Sequence, residues 1–144
     1  MEKTELHPDF PVVKDKYQMT KNWTVVLPGA FNRRIEEGSL VLWRPGFTIW
    51  TTVWGNDHNE TAEKRLDNIK QISDQSKFDE TKLDGKVLLY SYRLHEDAED
   101  RRVAAFYCFA FGETGHVQMA IYFDKEDDAS LANKIWHSLN ENIG

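Results

Sequence analysis

One cysteine, Cys108, stands in the whole chain, so no intrachain disulfide can form. Its setting in the apolar run Val103 to Phe111 is that of a small buried hydrophobe. No apolar stretch approaches the ~20 residues that span a bilayer, and the N-terminus lacks the basic, apolar and small-residue succession of a secretory signal. A soluble protein of the cytoplasm, without membrane contact, is expected. Also missing is the basic excess that phosphate backbones demand: 18 Lys and Arg face 24 Asp and Glu, a net charge of -6. The doublet Arg101-Arg102 follows the acidic run Glu96-Asp97-Ala98-Glu99-Asp100, which cancels its field within a Debye length of roughly 8 Å. Nucleic acid is therefore not an expected partner.

Chemistry-bearing motifs are equally scarce. His7, His58, His95, His116 and His137 have no metal-ligand spacing, and no second ligand type clusters with them. No glycine loop cradles a phosphate, and Ser39, Ser91 and Cys108 fall inside strand-like runs instead of at a strand-to-helix elbow. Asp57, His58 and Glu60 read as helix capping before they read as an acid-base group. No catalytic residue, metal or cofactor is expected.

What is present describes one folded unit. At 144 residues, with 40% hydrophobic and 29% charged residues, the chain is long enough to bury a core and ordinary enough to be globular. Residues 1–22 are polar, carry Pro8 and Pro11 and show no sustained period, so they read as an extended or mobile leader from which Phe10-Pro11-Val12-Val13 can dock. Residues 23–144 read as a single α+β domain. Trp23 to Leu27 and Phe31 to Ile35 predict two short strands divided by Pro28-Gly29. Ser39 to Arg44 and Phe47 to Trp54 predict a hairpin around Pro45-Gly46, through a type II turn or a somewhat wider loop.

The period then changes. Asp57 and Glu60 resemble a capping box, and Ala62, Leu66 and Ile69 recur at helical spacing toward Ser73. Gln75 to Gly85 reads as a polar loop. Three β-rich runs follow, Lys86 to His95, Val103 to Phe111 and His116 to Phe123; the middle one is apolar on both faces, as a strand covered on two sides must be. Asp124 to Asp128 and the stripe Leu131, Ala132, Ile135, Trp136 and Leu139 predict a closing amphipathic helix. The expected fold is an antiparallel sheet of about six to seven strands with two helices packed on it.

Alternation along the hairpin places Leu40, Leu42, Phe47, Ile49 and Val53 on one face and Val41, Trp43, Thr48, Trp50, Thr52 and Trp54 on the other. The tryptophan stripe is either an exposed protein-binding platform or a buried surface beneath a helix. Arg33, Arg34 and Arg44, near strand ends, are cations that would grip an anion or pair with the acidic excess. Arg93 with His95, and His116 with Gln118, would form a polar cluster if their faces coincide.

The segment Trp23-Thr24-Val25-Val26-Leu27-Pro28-Gly29-Ala30-Phe31, with its Leu27-Pro28-x-x-Phe31 pattern, precedes a hairpin, a helix, a meander and a C-terminal helix. In that order of elements the chain resembles Mog1/PsbP-like domains, which include the DcrB-like proteins. The resemblance implies a sandwich used mainly for protein binding, as in small-GTPase regulators, photosystem extrinsic subunits and chaperones. Two readings follow. The first is a non-enzymatic binding, chaperone or adaptor module anchored by Trp43, Trp50 and Trp54, with Arg44 beside them and Glu96, Asp97 and Asp100 on a rim. The alternative is a small-molecule binder or enzyme with a pocket between sheet and helix, lined by Trp50, Tyr90, Tyr92 and Tyr107, with Arg93 as polar handle. The same sheet face would equally serve a homodimer.

Overall fold

Nine strands pair into one antiparallel sheet in the computed structural model, which describes residues 6, 8–56, 59–72, 77–84, 87–94 and 105–142. They are β1 (Val12–Gln18), β2 (Trp23–Glu36), β3 (Ser39–Arg44), β4 (Phe47–Gly55), β5 (Lys77–Asp84), β6 (Val87–Leu94), β7 (Ala105–Phe111), β8 (Gly115–Phe123) and the two-residue β9 (Asn140–Glu141). Helix α1 (Ala62–Ile72) follows β4, and α2 (Ala129–His137) follows β8 after a 3₁₀ turn at Glu126–Asp128. The spatial order is β1-β2-β3-β4-β8-β7-β6-β5, with β9 paired to β2. Two sequential meanders, β1 to β4 and β5 to β8, are thus joined by one long ladder running from Phe47↔Phe123 to Gly55↔Gly115.

The strand count exceeds the expected six to seven, for reasons visible in the backbone. β1 lies in the supposed leader; its register slips between Val13 and Asp15, and Asp15 takes φ 58°, so the side-chain period that marks a strand is broken halfway. Pro28-Gly29 does not divide two strands. Phe31 pairs with Val13 and Leu27 with Asp15, so residues 28–30 bulge opposite a single residue and the proline needs no ladder hydrogen bond. The supposed loop before residue 85 contains β5, the edge strand beside β6, whose sequence Lys77-Phe-Asp-Glu-Thr-Lys-Leu-Asp84 lacks the apolar alternation by which a strand is read.

At the hairpin the loop is no wider than two residues: Arg44 pairs with Phe47, and Gly46 supplies φ 77°. Helix α1 starts later than the spacing predicted. The Thr61 hydroxyl accepts from the Lys64 N–H at 3.1 Å, the work of an N-cap, while Asn56 accepts from the Glu60 N–H at 2.9 Å just before it. Asp57, His58, His95, the acidic run Glu96 to Asp100 and the doublet Arg101-Arg102 lie outside the described residues.

Helix α2 seals one face. Its Ala132, Ile135 and Trp136, with Leu139 just beyond, pack on Trp23, Val25, Leu27, Leu42, Ile49, Phe106, Cys108, Met119 and Ile121, all buried. Trp136 meets Phe106 edge-on at 5.8 Å and donates its indole N–H to the Phe109 carbonyl at 3.1 Å, so its polar end is satisfied. Burial pushes the Cys108 thiol well above its ordinary pKa, in keeping with a core role. On the opposite face, α1 brings Leu66, Ala62 and Ile69 onto Tyr90, Tyr92, Phe109 and Phe111. β7 is therefore covered on both sides, as its composition requires. No described helix is long and apolar enough to cross a membrane.

Candidate functional site

Helix α1 spans only the β6–β7 part of its face. Over β3, β4 and β8 lies an aromatic surface that neither of the two described helices covers. The register sets it in rows: Val41, Trp50, Ala120, Tyr107 and Tyr92 follow one another across five strands, and Trp43, Thr48 and Tyr122 form the next row. Ala120 is the small residue between Trp50 and Tyr107 in its row, which makes a low point, the trough, between those two rings on β8. Trp43, Trp50, Tyr107, Ala120 and Tyr122 are all partly exposed, and the Tyr107 and Tyr122 hydroxyls lie 3.3 Å apart.

Two groups already use this surface. Phe10 meets Trp43 edge-to-face, with ring centres 5.1 Å apart and planes at 76°. The segment carrying Phe10 is held by the Asn32 amide, which donates to the Phe10 carbonyl at 3.1 Å. From β2, Arg34 lays its guanidinium 4.6 Å from the Trp43 ring and 5.9 Å from Trp50, while it pairs with Glu36 at 2.8 Å. That pairing is the use expected of an arginine in an acidic chain.

The residues singled out from sequence divide among four places. Trp43 and Trp50 line the trough. Trp54 lies farther along the same face, 50% exposed, stacked on His116 at 6.2 Å. Tyr90 and Tyr92 are buried under α1, Tyr90 with Lys70 5.4 Å over its ring and Tyr92 stacked on Tyr107 at 5.2 Å. Arg44 and Arg93 turn to the α2 face. Arg44 covers Phe31 and Phe47 at 5.0 and 5.8 Å. Arg93 grips Glu126 through two bonds of 3.0 and 2.9 Å and lies 5.3 Å from the Phe123 ring. This fork holds the Glu126 carboxyl below its ordinary pKa, chiefly through the hydrogen bond, and fastens the 3₁₀ turn to β6.

Arg93 therefore stands on the face opposite Tyr92 and Tyr107, and it shares no face with His116 and Gln118, so the polar cluster those residues would have formed does not assemble. The chemistry-bearing residues that sequence reading missed are Arg65 and Glu141. Arg65 interrupts the apolar stripe of α1 between Ala62 and Ile69, a signal visible in the sequence, and it is buried. Glu141 places its carboxylate on the β7–β8 turn, accepting from the Glu113 and Thr114 N–H groups at 2.9 and 2.7 Å and from the Thr114 hydroxyl at 2.5 Å. Burial and then the charge of Arg65 depress the His116 imidazole from its ordinary 6.5 to about 4. The ring is neutral at physiological pH.

The described residues contain no group of three or more His, Cys, Asp or Glu that could hold a metal ion. What fold and site define together is an α+β protein with one face packed under α2 and, among the described residues, one partly open aromatic face. No family model, curated protein or solved structure matches the chain.

Proposed function

We propose that this protein is a non-enzymatic binding module that captures an extended segment of another protein, bearing aromatic side chains, in the trough of Trp43, Trp50, Tyr107 and Tyr122. The observation that carries this reading is Phe10: a stretch of non-helical chain already presents an aromatic ring to Trp43 in edge-to-face contact. The surface continues beyond that ring as an open strip of the same chemistry with a small residue at its floor. Flat, rigid side chains give large contact area at little entropic cost, which is why such residues anchor interfaces.

Supporting the Mog1/PsbP-like part of the reading, Leu27-Pro28-x-x-Phe31 lies in β2, and each face of the antiparallel sheet carries one helix. Under this reading the protein works as a chaperone or adaptor of the cytoplasm. The pocket expected between sheet and helix has less support, since Tyr90 and Tyr92 are filled over by α1 and Arg93 faces away.

Selection of ligands from a random displayed-peptide library tests the proposal. Enriched peptides should carry aromatic residues at alternate positions, the spacing at which an extended chain presents one side. Trp50→Ala should weaken their binding at least ~10-fold, about 1.4 kcal/mol, with the melting temperature nearly unchanged. Ligands without aromatic enrichment, or binding indifferent to Trp50→Ala, would sink it.

A further inference from the structure

Where β4 ends and β8 begins, near the start of α1, a cleft of about 200 Å³ opens, lined by Trp54, Glu60, Arg65, Asn68, Ile69 and His116 among others. It is separate from the trough of the preceding proposal. Its aromatic wall is a cross-strand ladder in which Trp54 stacks on His116 at 6.2 Å and His116 meets Phe111 at 5.1 Å, with the Arg65 guanidinium 5.8 Å from the Phe111 ring.

Two polar atoms of this wall are buried without a hydrogen-bond partner: Arg65 Nη1 and His116 Nδ1. The rest of the Arg65 fork is engaged, Nε with the Thr61 carbonyl at 3.4 Å and Nη2 with the Gly112 carbonyl. One donor nitrogen, with its two N–H groups, is thus left over on a residue only 7% exposed. An unpaired buried donor costs free energy that an incoming oxygen atom would recover. The imidazole nitrogen, on a neutral ring, serves as donor or acceptor according to tautomer.

The charge balance decides the kind of oxygen. Burial lowers the pKa of Arg65, and the charges of Glu141 and then Glu60 act against it, each favouring the cationic form. One cation between two carboxylates leaves no excess positive field for an anion. We infer that the cleft binds a small, flat, neutral molecule of the aromatic-amide or carbonyl-heterocycle class, its ring stacked on Trp54 and its carbonyl oxygen accepting from Arg65 Nη1 beside His116. The volume suits a single substituted ring, and Ile69 supplies an apolar side to hold it.

Three probes of one size separate the possibilities: benzamide, a neutral acceptor; benzoate, an anion; and toluene, which has no acceptor. Each is titrated into the full chain while the Trp54 indole and His116 ring resonances are followed by NMR. Benzamide should shift both saturably, with a Kd in the ~millimolar range typical of so small a ligand, at least fivefold tighter than benzoate or toluene. Trp54→Ala, at a half-exposed site, should weaken benzamide at least tenfold without unfolding the protein. Arg65→Lys, which keeps the charge and loses the fork, should bring benzamide down to the affinity of toluene. Tighter binding of benzoate, equal binding of toluene, or no saturable shift with benzamide would each overturn the inference.

Discussion

Trp136 and Trp50 sit against the middle of the same sheet on opposite faces, and they have different surroundings. Trp136 is fully buried, its indole N–H bonded to a backbone carbonyl and its ring against Phe106. Trp50 is partly exposed, with an arginine over its ring and an alanine beside it on β8. Both faces are rich in aromatics, so composition does not distinguish them. Helix coverage does: α2 lies over the centre of its face, while α1 is displaced to β6 and β7 and leaves the other half to short-range partners such as Phe10 and Arg34.

The sharpest way to break that comparison is to remove each ring. Trp136→Ala should cost about 3–5 kcal/mol in urea unfolding, because it empties the centre of a packed core. Trp50→Ala should cost under about 1 kcal/mol, since part of its surface is already wet. Equal losses would mean that the trough is core and that its aromatics serve folding alone.

A smaller effect is expected where the faces meet at the β7–β8 turn. Glu141→Gln keeps the side-chain shape but removes the charge that two backbone N–H groups and a hydroxyl serve, and should destabilise by about 1.5–3 kcal/mol. Added salt should shrink the difference only weakly, because these are short contacts and not a long-range field. Restoration of wild-type stability by salt would instead point to a general charge effect.

The effect of pH is smaller again than that of Glu141→Gln. Unfolded, His116 takes a proton near its ordinary 6.5; folded, it does so only near 4. Between those values the unfolded chain binds more protons, so the contribution of His116 is complete above pH 6.5 and lost as the pH falls toward 4. Allowing for solvent screening of a partly exposed ring, the loss should be on the order of 1–2 kcal/mol. His116→Phe, which keeps the stack between Trp54 and Phe111, should flatten the stability profile over that window. An unchanged slope would assign the acid sensitivity to other groups.

The parts of this fold that were legible in the sequence are those with an uninterrupted period. The hairpin around Pro45-Gly46, the runs that became β6, β7 and β8, and the stripe of α2 were all readable, as was the division of β4 into Ile49 on one face and Trp50 on the other. What was not legible had its period broken or its polarity inverted: β1 by the bulge at Asp15, β2 by Pro28-Gly29, and β5 by the charges of an edge strand. The site was legible to a smaller degree still. Trp43 and Trp50 could be put on a common face from alternation alone. The open half of that face depends on where α1 docks, and the placing of Arg93 opposite Tyr107 depends on the ladder register, which pairs Arg93 with Phe106 and Tyr92 with Tyr107. Arg65 stands as a cation in an apolar helix stripe, and its burial follows only from the docking of α1 on the sheet.

The ladder between β4 and β8 also has a consequence for synthesis. The first meander can pair as soon as residue 55 has left the ribosome, but its inner edge is β4, carrying Phe47, Ile49, Trp50 and Val53. The strand that covers this edge is β8, and its last paired residue, Phe123, is made after 68 further residues beyond Gly55 have been added (123 − 55). At ~5–20 residues per second, the nascent chain holds an apolar, unpaired strand open for several seconds. An edge of that kind is a template for any other extended chain, including a neighbouring copy on the same message. The fold thus makes its own assembly depend on keeping that strand solitary until the second meander arrives.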